Sequence, residues 1–257
     1  MPDIAAIPAF EDNYIWLLRQ NRSAAVVDPG DADPVLRALD QSDLELSGIL
    51  ITHHHGDHTG GVEELVSVFP EVKVFAPHDR RIPCVTDQVA EGAEAQIPGL
   101  PALFRVLEVP GHTATHIAYL GEGVLFCGDT LFAAGCGRVF DGTFEQLAVS
   151  LERIAALPPD ILIYCAHEYT LANLGFAAWV EPESCAVANR AAEARRRRAA
   201  GEPTVPSCLA EELATNPFLR TGVPAVKEAA ERYAGHPLGS HAEVFTALRQ
   251  WKDNRYD

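Results

Sequence analysis

The chain has 257 residues, 47% of them hydrophobic, enough for a buried core in one large domain or in a domain with a smaller companion. Its 36 acidic against 20 basic residues leave a formal charge of −16, which argues against nucleic acid or an anionic membrane surface as a partner. An anionic substrate therefore needs a local basic patch.

The opening stretch, MPDIAAIPAFEDNYIW, has neither a basic n-region nor a long apolar run, so no signal peptide or membrane helix is expected and the cytoplasm is the default location. Short β-like runs follow, bounded by Gly, Pro, Asp or Asn: YIWLLR, AAVVD, LSGILIT, VKVFA, FRVLEVP, HIAYL, GVLFCGD and ILIYCAH. Helical patterns fall between some of them. DADPVLRALD begins with a capping aspartate and a proline, GVEELVSVF follows a histidine cluster, and TFEQLAVSLERIAAL has Thr143 as its N-cap. Interleaved strands and helices predict an α/β fold. After Tyr169 the chain turns to Ala-, Glu- and Arg-rich segments with little β pattern, which predicts a catalytic domain over 1–169 and a smaller helical domain over 170–257. The run Arg195 to Arg198 reads as a solvated helix face. The six cysteines, Cys84, Cys127, Cys136, Cys165, Cys185 and Cys208, include no C-x-x-C pair; we expect reduced thiols, mostly core fillers.

The stretch Thr52 to Gly61, THHHGDHTGG, is the part that folding rules do not require. It follows a strand, so His53 and His55 project to one side and His54 to the other. Asp57 and His58 come next, where the chain turns through Gly56 toward a helix expected to begin near Gly60 or Gly61. Imidazole and carboxylate donors suit zinc, iron or manganese, and the arrangement has room for two metals. Three further candidates end strand-like runs: His112 in VPGHTATH, Asp129 in FCGDTLF and His167 in YCAHEYT. Taken singly, His112 and Asp129 read better as turn or helix caps than as ligands, and His167 can be read as a buried core histidine. Taken together at strand ends, they read as ligands, seven in all if Asp129 bridges both metals. His54, His78, His116, His236 and His241 are expected to be non-ligands.

Together, THHHGDH, PGHTATH, CGDTLF and CAHEYT resemble the metallo-β-lactamase superfamily, and NYIWLL, VVDPGD, GCGRVFDGT and LRQWKD narrow the resemblance to the glyoxalase II family. The resemblance implies an αββα sandwich followed by a helical domain that helps bind glutathione. It assigns His53, His55 and His112 to one metal and Asp57, His58 and His167 to the other, with Asp129 bridging. It places Arg138, Phe140, Tyr169, Arg249 and Lys252 against the glutathione moiety. Arg138 stands where a lysine is common and Phe140 where a tyrosine is often found, so one hydroxyl contact to substrate is missing. Arg249 and Lys252 lie three apart, on one face if helical; an ordinary solvated helix end is the bland alternative.

The implied reaction is the second step of methylglyoxal detoxification: hydrolysis of an S-2-hydroxyacylglutathione, such as S-D-lactoylglutathione, by a hydroxide held between two divalent ions, zinc expected and iron or manganese possible. Asp57 and Asp129 would be the catalytic carboxylates, Asp57 orienting the hydroxide. A glutathione thioester is thus the expected partner, a monomer the expected state, and nucleic acid and membrane are not expected. A persulfide dioxygenase with a single iron is the main rival. A β-lactamase, a nuclease and a protein with structural zinc fit the ligand pattern, the acidic charge and the helical C-terminal part less well.

Overall fold

Apolar residues at alternate positions open the chain, and in the computed structural model, which describes residues 2–256, they form an antiparallel ribbon. Strand β1 (Asp3–Ala9) pairs with β2 (Asn13–Gln20), and β3 (Ser23–Val27) adds antiparallel to β2. Asp31 caps α1 (Ala32–Gln41) by accepting the Asp33 N–H at 3.0 Å. The helix is a crossover, so β4 (Glu45–Leu50) returns parallel to β3. After the short α2 (Gly56–Thr59) and α3 (Val62–Val68), strands β5 (Lys73–Ala76) and β6 (Asp87–Gln88) extend the sheet, again in parallel, giving the order β1-β2-β3-β4-β5-β6. Val35 and Leu39 of α1 and Val62 and Leu65 of α3 pack with Val26, Ile49 and Val74 of the sheet in one core.

Four further strands, β7 (Glu94–Gln96), β8 (Leu103–Glu108), β9 (Ile117–Gly121) and β10 (Val124–Gly128), pair antiparallel in sequence order. They face the first sheet. The buried Tyr119 hydroxyl of β9 lies 3.0 Å from the carbonyls of Ile51 and Phe75 and can donate to either. A Cβ on Gly48 would fall 2.6 Å from the Ile97 side chain, so the two layers meet where Gly48 has none.

These elements form one compact unit, the chain through Glu108 plus Thr115–Gly128; Val109–Ala114 and the residues from Asp129 onward form a second. In the second unit β11 (Leu131–Phe132) and β12 (Gly135–Cys136) make a minimal hairpin. Helix α4 (Phe144–Ala155) follows, started by a capping box in which Gln146 N–H donates to Thr143 Oγ1 at 3.1 Å and Thr143 N–H to Gln146 Oε1 at 2.9 Å. Strand β13 (Leu162–Cys165) leads to α5 (Thr170–Val180) and α6 (Cys185–Ala199), and β14 (Ser207–Cys208) pairs antiparallel with β13. Helices α7 (Leu209–Thr215), α8 (Pro224–Ala234) and α9 (His241–Trp251) complete the chain, with a π-helical turn over Lys252–Tyr256. Small residues set the α5–α6 contact: Ala177, Ala191 and Ala194 share a core with Leu174 and Val187.

The eight expected strands and the three expected helices of the first two-thirds are present, and the segment after Tyr169 is helical apart from β14. One expectation needs correction. Only Cys127, Cys136 and Cys165 are core residues, whereas Cys84 and Cys185 are exposed and Cys208 is intermediate; none of the six is in a disulfide. Arg195, Arg196 and Arg198 lie on an exposed face of α6, and Arg196 pairs with Glu193 one turn back. No helix among the described residues is long and apolar enough to cross a membrane.

Candidate metal centre

In the first unit the backbone stays extended past the end of β4: Ile51 N–H donates to the Phe75 carbonyl at 2.9 Å, and the Thr52 carbonyl accepts from Ile117 N–H at 3.0 Å. Extension puts His53 and His55 on one side, with His53 Nε2 3.1 Å from His55 Nδ1. His54 points elsewhere, its Nδ1 3.5 Å from Asp79 Oδ2. Asp57 and His58 do not lie in a loop before a helix at Gly60, as expected. They sit on α2, because the His55 carbonyl accepts from both His58 N–H and Thr59 N–H, at 3.0 and 3.1 Å, and closes a helical turn before Gly60.

Asp28 anchors this cluster. Its carboxylate accepts the Thr52 N–H and the Thr52 hydroxyl, both at 2.8 Å, and lies 3.1 Å from His58 Nδ1. The nearby negative charge favours the neutral His58 tautomer with its proton on Nδ1, which keeps the lone pair on Nε2. The same logic passes through Thr52, whose hydroxyl is already donating to Asp28 and so accepts from His53 Nδ1 at 3.0 Å. His53 thereby keeps its lone pair on Nε2, on the side where His55 Nδ1 lies 3.1 Å away. Donor atoms of Asp28, His53 and His58 fall within 4.8 Å of one another. Asn13 donates to Asp57 Oδ2 at 3.1 Å, and the His53 ring stacks on buried His116 at 4.5 Å. Asp28 and Asn13 had no role in the sequence reading; the only hint was that VVDPGD ends a strand with an acid.

The second unit brings His112, Asp129 and His167 together. Asp129 Oδ2 lies 3.5 Å from His112 Nε2, and Asp129 Oδ1 lies 3.4 Å from His167 Nε2. One oxygen of the carboxylate thus faces each imidazole. The Nδ1–H of His112 donates to the Arg138 carbonyl at 2.7 Å, which turns the Nε2 lone pair toward Asp129. Tyr169 stacks on His167 at 4.7 Å, and Phe140 meets His112 edge-on at 5.2 Å while remaining 64% exposed.

Arg249 and Lys252 are not a solvated helix end: they are 1% and 6% exposed. Nor do they share one regular helix, since α9 ends at Trp251 and Lys252 opens the π-helical turn. Arg249 donates to Asp253 Oδ1 at 2.8 Å and to the Cys136 carbonyl at 3.0 Å. Arg138 approaches the same Asp253 oxygen at 3.6 Å. Two guanidiniums on one carboxylate leave a local positive surplus in an acidic chain.

The donors fit a divalent metal. All are imidazole nitrogens or carboxylate oxygens, the set that suits zinc, iron or manganese. Thiolate is not among them, since burial pushes the Cys136 thiol up to about 11 and the Cys165 thiol up to about 12. Neutral thiols in the core are not metal ligands.

Comparison with known proteins agrees with this chemistry. A model of the metallo-β-lactamase superfamily matches residues 9–167, and a model described as the hydroxyacylglutathione hydrolase C-terminus matches residues 168–255. A hydroxyacylglutathione hydrolase of Alkalilimnicola ehrlichii is 57% identical over 98% of this chain and 99% of its own. A protein of the same name from Xanthomonas euvesicatoria pv. vesicatoria is 50% identical over 97% of this chain and 98% of its own. Among solved structures, ETHE1 from Myxococcus xanthus superposes with a TM-score of 0.69 at 25% identity, covering 99% of this chain and 93% of that one. On both domain models and on identities of 57% and 50% over nearly the full length, the chain belongs to the hydroxyacylglutathione hydrolase, or glyoxalase II, family of the metallo-β-lactamase superfamily.

Proposed function

We propose that the chain is a thioester hydrolase that converts an S-2-hydroxyacylglutathione, S-D-lactoylglutathione first among them, to glutathione and a 2-hydroxy acid. Two divalent ions, zinc in our reading, are held by His53, His55 and His112 and by Asp57, His58 and His167, with Asp129 serving both. The observation that carries the reading is Asp129, whose two oxygens each face one imidazole, the placement a shared ligand needs. Identity over nearly the full length to proteins named hydroxyacylglutathione hydrolase supplies the substrate class. We assign the metal ligands to 1–169 and glutathione recognition chiefly to 170–257.

When bound, the ions supply Lewis acidity toward the thioester carbonyl and lower the pKa of water to about 7. The rest falls to the chain. Asp57, steadied by Asn13 at 3.1 Å, accepts a hydrogen bond from the attacking water and aims its lone pair at the carbonyl carbon. The leaving glutathione thiolate has a pKa near that of free cysteine, about 8.5, so no protein proton donor is required. Arg138, Arg249 and Lys252 supply positive charge for the glutathione carboxylates, Tyr169, stacked on His167, offers an aromatic face, and Phe140 offers an apolar edge without a hydroxyl. A monomer in a reducing cytoplasm completes the reading, and six cysteines outside any disulfide suit that setting.

The test is turnover of S-D-lactoylglutathione followed at the thioester absorbance, with metal analysis before and after chelation. Turnover that vanishes with the metal and returns with zinc is expected. Two bound metals and no thioesterase activity would overturn the reading, and oxygen uptake with glutathione persulfide would replace it with the dioxygenase.

A further inference from the structure

We infer that Glu212, with its partners Arg190 and Asn216, is a positioning group for the ligands of the second unit: from within the helices it fixes the turn between β11 and β12, and through that turn the placement of His112 and Asp129. The inference rests on the reading of His112, Asp129 and His167 as metal ligands. It gives the helical region a second task besides recognising glutathione.

The turn cannot hold itself. Its two strands have two residues each, and Ala134 at the corner sits at φ +57°, in the left-handed region that disfavours a side chain. Helix side chains take its backbone groups one after another. Ala134 N–H donates to Glu212 Oε2 at 2.8 Å, and Asn216 Nδ2 reaches the Gly135 carbonyl at 2.9 Å and that of Phe132 at 3.3 Å. Asn173 Nδ2 donates to the Ala133 carbonyl at 3.1 Å and Arg249 Nη1 to the Cys136 carbonyl at 3.0 Å. Each residue from Phe132 to Cys136 is therefore held by a polar side chain from α5, from α9 or from α7 and the residue that follows it.

Glu212 is the hub. It is fully buried; its Oε1 pairs with Arg190 of α6, and its Oε2 also accepts from Asn216 at 3.2 Å. Arg190 in turn donates to Thr215 Oγ1 at 2.6 Å. A buried carboxylate and guanidinium are a poor choice if the aim is stability alone, because desolvating both charges offsets their attraction. An apolar pair of the same volume would pack as well. It would also leave the Ala134 N–H with no acceptor.

What the turn touches gives the arrangement its purpose. Beyond Cys136 the chain runs against the ligands: a Cβ on Gly137 would fall 2.0 Å from the Asp129 carbonyl oxygen and 2.8 Å from His112 Nδ1. The next carbonyl, that of Arg138, is the acceptor that orients His112. On the other side of the turn the Phe132 ring meets His167 edge-on at 5.7 Å. One short segment thus contacts all three ligands, and Glu212 decides where it lies.

Glu212→Gln tests this in the full chain. The amide keeps the volume but presents N–H groups to the Ala134 N–H or to Arg190. We expect a folded protein whose zinc affinity, read by competition with a chromophoric chelator, falls roughly ten- to hundredfold. Its kcat should fall while KM for S-D-lactoylglutathione stays within about twofold, and amides 131–138 of the metal-stripped protein should exchange faster. Asn173→Ala, which removes one bond to the turn and leaves the ion pair intact, should act in the same direction more weakly, and it decides the matter if Glu212→Gln does not fold. Glu181→Gln is the control: it breaks the Glu181–Arg220 pair of the same region, 2.9 Å and away from the turn, and should lower stability without moving zinc affinity. Wild-type zinc affinity in the Glu212 or Asn173 variants, or an equal loss in the Glu181 variant, would overturn the inference alone. Absence of metal from the wild-type chain would overturn the metal-centre reading and this inference with it.

Discussion

Asp28→Asn probes the acid that sets the protonation of two histidines from beneath. Asp28 receives the Thr52 N–H and hydroxyl at 2.8 Å each and lies 3.1 Å from His58 Nδ1. In the variant one carboxylate oxygen becomes an NH2. Keeping the amide oxygen on the Thr52 N–H turns that NH2 toward two donors, the Thr52 hydroxyl and His58 Nδ1–H. The hydroxyl can reverse, but it then donates to His53 Nδ1, 3.0 Å away, and drives the His53 proton to Nε2. His58 responds in the same way, moving its proton to Nε2, 3.5 Å from Asp57 Oδ2, so that its Nδ1 accepts from the amide. The Thr52 N–H and hydroxyl then face a neutral amide instead of a carboxylate, so the metal-stripped protein should lose about 1–2 kcal/mol. Zinc affinity should fall by roughly 10–100-fold, because both Nε2 lone pairs are compromised. Urea denaturation of the metal-stripped protein and chelator competition on the loaded one read the two effects separately. Stability within about 0.5 kcal/mol of wild type together with unchanged zinc affinity would show that Asp28 does not govern these tautomers.

Phe140→Tyr adds a hydroxyl to a ring that is 64% exposed and edge-on to His112; a new hydrogen bond to glutathione should lower KM about two- to tenfold with kcat unchanged, and steady-state kinetics on S-D-lactoylglutathione decide it. Gly137→Ala forces a methyl to within 2.0 Å of the Asp129 carbonyl oxygen, so metal content measured by elemental analysis should drop sharply while circular dichroism stays near wild type. The buried thiols make stability fall in alkali. In the unfolded chain they ionise near 9, whereas Cys136 is held at about 11 in the folded one, so its stabilising contribution is complete below about pH 8.5 and is lost as pH rises toward 11. The loss should reach on the order of 2–3 kcal/mol, and a Cys136→Ala variant should show a correspondingly flatter decline in urea midpoint between pH 8 and pH 10.5.

The periodic and capped elements could be read from the chain directly, because their signals are local. Asp31 and Thr143 cap the helices they were expected to cap, and each bond spans two or three residues. The same holds for His53 and His55, which extended backbone places on one side whatever surrounds it. Strands of two residues, such as β6, β11, β12 and β14, have no period to detect. Asp57 and His58 were expected where the chain turns through Gly56, ahead of the helix; carbonyl acceptance at His55 made a helical turn there instead.

The sequence by itself determined the chemistry: four imidazole or carboxylate donors in one short motif and three more at strand ends, in a chain with no thiolate pair to compete. Tertiary structure alone decided which groups govern those donors. Asn13 reaches Asp57 across 44 residues and Glu212 reaches Ala134 across 78, and no local rule links positions so far apart. Arg249 makes the same point, since a charged residue near a chain end is ordinarily solvated, yet here it is 1% exposed. Its burial follows from partners, the Cys136 carbonyl and Asp253, that only the packed helices bring within reach. Donor type is a property of the residue; proton placement and orientation belong to the neighbours that folding supplies.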